Sequence, residues 1–89
     1  MTVRVDPNVT VLELQPVNVT CSTDYTDEVT FRWTSQRSHP DFQKTGPQLW
    51  IDKATTDVAG RYECTVVTKS TPKIRNWASM FLTVLCKYH

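Results

Sequence analysis

The sequence predicts an all-β domain in which two sheets pack face to face around one core. Three observations predict it. Apolar and polar residues alternate along several short stretches, the signature of half-buried strands. No segment places apolar residues at i, i+3, i+4 and i+7 for long enough to form an amphipathic helix. Turn-forming clusters separate about seven short strands at roughly 8–12 residue intervals, the rhythm of a sandwich. The chain is 89 residues long and 39% hydrophobic, enough for a single domain, 1–89, with a thin core.

Each element has its own justification. Pro7 and Pro16 bracket the alternating segment Val9 to Leu14, which suits an edge strand. Val17, Val19 and Cys21 share one side of the next strand, leaving Asn18, Thr20 and Ser22 in water. After a polar loop from Asp24 to Glu28, Val29, Phe31 and Trp33 alternate with Thr30, Arg32 and Thr34, so the buried side of that strand is strongly aromatic. The connection from Gln36 to Pro47 has room for one short strand around Asp41 to Lys44 before the Gly46-Pro47 turn. Leu49 and Ile51 face inward around an outward Trp50. Tyr62, Cys64 and Val66 alternate with Glu63, Thr65 and Val67 until Ser70-Thr71-Pro72 breaks the pattern, and Met80, Leu82 and Val84 mark the last strand. Arg75 and Trp77 therefore fall in the connection between the last two strands.

Cys21 and Cys64 lie on the inward parity of their strands, and Trp33 follows Cys21 by twelve residues. In a sandwich about 10 Å thick a disulfide can bridge facing sheets, with an indole filling the space beside it. Upstream of Cys64 the chain reads Leu49-Trp50-Ile51 and then Asp57-Val58-Ala59-Gly60-Arg61-Tyr62-Glu63-Cys64. This segment, with the Cys-to-Trp spacing, resembles the immunoglobulin superfamily over nearly the whole chain. The resemblance implies a Cys21–Cys64 disulfide, a core built on Trp33 and Tyr62, a Tyr62 hydroxyl bonded to backbone a few residues upstream, and Gly60 in the turn between strands E and F. Only 43 positions separate the two cysteines and sixteen separate Trp33 from Leu49, fewer than a variable-type domain has. The resemblance is thus to a shortened C2-type or I-type immunoglobulin-like sandwich, strands A, B and E facing C, F and G plus a short C′ edge strand.

Composition narrows the functions. A net charge of +1 gives no pull toward nucleic acid, and the longest apolar runs fall far short of the ~20 residues of a membrane span. His39 and His89 have no partners at triad or metal spacing, and Asp27-Glu28 reads as a solvated loop tip. Two glycines provide no phosphate cradle. The sequence therefore predicts neither an enzyme nor a bound cofactor or metal.

Asn8-Val9-Thr10 and Asn18-Val19-Thr20 are N-glycosylation sequons and point to an extracellular location, although Asn and Thr also suit exposed strands and turns. No secretory signal opens the chain, so Met1 is read as an expression start before a domain excised from a multi-domain ectodomain, whose anchor would lie elsewhere. Cys86 is the odd cysteine: its partner lies beyond this segment, or in a second chain, or it is a free thiol on the inward parity of the last strand.

Binding is the function left. Arg75 and Trp77, with Lys73 beside them, form a candidate anchor for another cell-surface or extracellular protein, unless Trp77 folds back over Ile74. Lys69, Lys73 and Arg75 with Arg32, Arg37 and Lys44 can instead attract a sulfated glycan or merely be a solvated face. Some members of the resembled family present an acidic residue to integrins where Asp41 falls, but His39-Pro40-Asp41-Phe42 does not reproduce that motif. The leading expectation is a recognition or adhesion module of a receptor or adhesion protein. The alternative is an intracellular muscle or cytoskeletal spacer domain, which has no use for sequons.

Overall fold

The computed structural model describes residues 1–35 and 43–86. Among them the chain forms strands β1 (Val3–Arg4), β2 (Asn8–Leu12), β3 (Val17–Thr20), β4 (Ser22–Thr23), β5 (Val29–Ser35), β6 (Gln43–Thr45), β7 (Gln48–Ile51), β8 (Gly60–Thr68) and β9 (Arg75–Leu85). A 3₁₀ turn, Thr56–Val58, precedes β8. One layer is a five-stranded sheet in the order β2-β9-β8-β5-β6. The other consists of β3 paired antiparallel with β7, continued by the short β1–β4 pair. The core between the layers holds Val17, Val19, Cys21 and Leu49 against Trp33, Tyr62, Cys64, Val66, Met80 and Leu82, all buried. These are the inward positions of the alternating segments, so the period-two pattern carried the burial.

The sandwich is as expected, but the placement of its first strand is not. The strand expected from Val9 to Leu14 beside B and E is Asn8–Leu12 and runs parallel to β9 on the opposite sheet, while a separate short strand that the alternation did not mark, Val3–Arg4, pairs with β4. Backbone bonds fix the crossing at both ends. The Phe81 amide donates to the Pro7 carbonyl at 2.9 Å and the Glu13 amide to the Leu85 carbonyl at 2.7 Å. Leu14, at φ 71°, then turns back, its amide donating to Ala54 while the Ala54 amide donates to Gln15.

The last strand also differs. It starts at Arg75, so Arg75 and Trp77 lie on β9 and only Lys73 stays in the connection. That connection is short because Thr68 and Ile74 close it: the Thr68 amide donates to the Ile74 carbonyl at 2.9 Å, and the Ile74 amide to the Thr68 hydroxyl at 2.8 Å. The early part of β9 lacks an apolar inward side, having Asn76 and Ala78 there, yet Asn76 is accommodated by donating its side-chain amide to the Met1 carbonyl at 2.8 Å.

The strand expected at Asp41 to Lys44 is β6, of which Gln43–Thr45 is described; Arg37, His39, Asp41 and His89 lie outside the described residues. Among the described residues β6 is one edge of the five-stranded sheet and β7 one edge of the other layer. The Lys44 ammonium bonds the Trp50 carbonyl, tying the two edges together and placing a charge where strand-to-strand association would otherwise begin. β9 ends at Leu85, so Cys86 does not continue the inward parity; it is exposed and forms no disulfide among the described residues.

Candidate recognition face

Cys21 and Cys64 are joined, with Sγ–Sγ 2.08 Å and Cα–Cα 6.5 Å, linking the β3–β4 junction to β8 across the core. Trp33 is fully buried and stands directly opposite Cys64 in the β5–β8 register. The Tyr62 hydroxyl donates to the Val58 carbonyl at 2.6 Å, which fastens the 3₁₀ turn to the core; burial pushes the phenol pKa up. Gly60, at φ 140°, starts β8 immediately after this turn. Tyr62→Phe leaves the Val58 carbonyl without that donor. It is expected to cost about 1–2 kcal/mol, seen as a Tm roughly 5–10 °C lower by calorimetry.

These residues hold the scaffold; the candidate site lies on the outer face of the five-stranded sheet. Register places Trp77, Thr65, Arg32 and Thr45 in one row across β9, β8, β5 and β6. Strands stand about 4.8 Å apart, so the indole and the guanidinium of this row rise roughly 10 Å from each other over a low threonine floor. Arg75, Val67 and Thr30 form the next row. Over β5 and β8 on this face is a groove of about 510 Å³ whose lining includes Arg32, Thr34, Glu63, Thr65, Val67 and Arg75. Trp77 is 54% exposed and so does not fold back into the domain.

The cationic patch expected from sequence is only partly assembled. Lys69 pairs with Glu28 at 3.9 Å, and Lys44 sits at an inward register position opposite Trp33. Arg32 and Arg75 do share the groove, and the Glu63 carboxylate lines it as well, two residues along β8 from the Arg32 row. Asp27 and Glu28 are exposed, as a loop tip should be. Asp24 does have a structural partner: the Thr2 amide donates to its carboxylate at 2.7 Å, and this bond holds the Asp24 pKa below its ordinary value while fastening β1. Both sequon asparagines are exposed, Asn8 on the outer face beside β9 and Asn18 on the outer face of the β3–β7 layer. Trp50 is also outside, at 48% exposure, with its indole N–H donating to Asp52 at 2.6 Å.

No protein-family profile matches the chain, and no curated protein matches it. Solved structures do. A structure of the N-terminal four Ig domains of Dscam1 isoform 4.4 aligns with 92% of this chain at TM-score 0.72 and 24% identity; the chain spans 20% of that structure. Murine CRIg aligns at TM-score 0.72 and 16% identity, covering 93% of this chain and 96% of its own. Domain 1 of VCBP3 from Branchiostoma floridae gives 0.69 and 20%, covering 93% of each chain. The chain has the immunoglobulin fold. Within this immunoglobulin domain the disulfide, the buried tryptophan and the tyrosine corner are all where the Asp57 to Cys64 motif implied.

What the motif did not disclose is the cross-sheet row. In the sequence Thr65 reads like any outward strand residue, and the alternation places Trp77 in a connection. The signal was the alternation of Arg75, Trp77 and Ser79 with Asn76 and Ala78, visible only if small and polar side chains are allowed to face inward. Among the described residues of this immunoglobulin domain, no group of three His, Cys, Asp or Glu side chains gathers as a metal site would require.

Proposed function

We propose that this immunoglobulin domain is an extracellular, non-enzymatic recognition module that binds another protein through the outer face of its five-stranded sheet, with Trp77 as anchor and Arg75 and Arg32 beside it. The observation that carries the reading is the half-exposed indole of Trp77 on a rigid strand, next to a groove with two arginines. Trp and Arg are enriched among the few residues that dominate binding energy at protein interfaces, Trp through the area it buries and Arg through its planar set of hydrogen-bond donors. A sheet face also holds them preorganised, which a loop does not. Lys73, in the connection at the end of the same strand pair, extends the cationic margin. The disulfide and the two sequons support an oxidising, secretory setting.

The test is a binding screen of the secreted domain against cell-surface proteins, followed by Trp77→Ala on any partner found. Because Trp77 is outside the core, the variant is expected to keep its Tm while losing about 30-fold or more in affinity, the size of a hot-spot truncation. Unchanged affinity would remove this face from the interface. An unglycosylated product with Cys21 and Cys64 reduced, recovered from a eukaryotic secretory host, would overturn the extracellular part.

A further inference from the structure

Each sequon asparagine of this chain stands in a cross-strand pair with an exposed aromatic residue. Asn18 on β3 is directly opposite Trp50 on β7, and Asn8 on β2 is directly beside Phe81 on β9. Phe81 is 47% exposed and Trp50 48%. Paired side chains on one face of a sheet lie about 4.5–5.5 Å apart, so a group attached to the asparagine amide lies against the neighbouring ring. The rings are held for it. The Trp50 indole is anchored by its bond to Asp52, and Phe81 is flanked on its other side by Arg61, whose guanidinium bonds Ser79 at 3.0 Å. The threonines of both sequons, Thr10 and Thr20, are exposed on the same faces as their asparagines. Among the described residues no hydrogen bond engages either asparagine side chain, so nothing in the fold competes for the amide nitrogen.

We propose that Asn8 and Asn18 carry N-linked glycans whose first N-acetylglucosamine packs on the ring of Phe81 and Trp50 respectively. The inference rests on the extracellular reading above. In the linkage step the Asn Nδ2 attacks the anomeric carbon of a lipid-pyrophosphate-linked oligosaccharide. The N–C1 bond forms, the C1–O bond to pyrophosphate breaks, the lipid pyrophosphate leaves, and one amide proton passes to the transferase base. The apolar face of the sugar then covers a ring that would otherwise be exposed aromatic surface, an aggregation and misbinding hazard. The arrangement also sorts Trp50, Phe81 and Trp77, the exposed large aromatics among the described residues, by role. The Asn18 glycan covers the outer face of the β3–β7 layer, and the Asn8 glycan covers the β2 side of the five-stranded sheet. Trp77, four positions and about 13 Å along β9 from Phe81, has a threonine across from it and stays open to a partner.

The experiment compares the domain secreted from a eukaryotic host, trimmed to a single N-acetylglucosamine at each site, with N8Q and N18Q, in the parent and in Phe81→Ala and Trp50→Ala backgrounds. Intact mass reads occupancy and calorimetry reads Tm. The sugar on Asn18 is expected to raise Tm by about 4 °C when Trp50 is present and by none in Trp50→Ala, with the same pattern for Asn8 and Phe81. Should an alanine variant fail to fold, Trp50→Leu and Phe81→Leu keep the bulk without the ring. In those variants the ring-current shift of the N-acetyl methyl protons, visible by NMR in the parent, is expected to vanish. Occupied sites whose stabilisation and proton shifts are indifferent to the ring would overturn this proposal and leave the recognition reading standing. Empty sites would overturn it together with the extracellular reading.

Discussion

Replacing Cys21 and Cys64 together by alanine is expected to remove about 4 kcal/mol of stability. The bridge closes a loop with a sequence separation of 43, and in the chain-entropy account a loop of that length restricts the unfolded ensemble by about that amount. A domain of this size has roughly 5–10 kcal/mol in total, so about two-fifths or more of it goes. The structure adds a local reason. The β3–β7 layer is a pair of four-residue strands, too short to be stable alone, and the bridge is its covalent tie to the five-stranded sheet. Both cysteines are changed together because a single replacement would leave a thiol that dissolved oxygen could oxidise to a non-native disulfide with the exposed Cys86. Urea unfolding followed by tryptophan fluorescence measures the difference. A loss under 1 kcal/mol would mean that packing, and not the bridge, holds the layers together.

Much of this scaffold was legible because burial in a sheet has period two. Val17, Val19 and Cys21, or Tyr62, Cys64 and Val66, alternate so cleanly that their inward side follows from hydrophobicity alone. The same periodicity says which residues face inward but not which sheet a strand joins. The inward Val9 and Val11 of β2 would be satisfied beside β3 as well as beside β9, and backbone bonds at Pro7 and Glu13 decide between them. Strand β9 was half hidden for a different reason. Asn76 and Ala78 occupy inward positions without the apolar signal, since one is satisfied by the Met1 carbonyl and the other is simply small. The recognition row and the asparagine–aromatic pairs share that limit. They are products of register between strands as far apart in sequence as Asn8 and Phe81, and register is written in no single stretch of chain.

Trp33→Ala is the second large effect, about 3–5 kcal/mol, and its comparison with Trp33→Phe tells more than its size. Trp33 is fully buried opposite Cys64, so alanine leaves a cavity beside the disulfide that neighbouring side chains, fixed by the bridge, cannot collapse to fill. Phenylalanine keeps a ring in that space. It also removes an indole N–H that is buried without a hydrogen-bond partner among the described residues, so no acceptor is orphaned by its loss. Trp33→Phe is therefore expected to cost only about 1–2 kcal/mol, less than half the alanine value, with the disulfide intact and the near-ultraviolet dichroism of a packed core retained. Equal costs for the two variants in the same urea titration would contradict this. They would mean that the indole nitrogen contributes directly, through an acceptor that Phe cannot engage, and that the tryptophan is held here by its polar edge as well as by its volume.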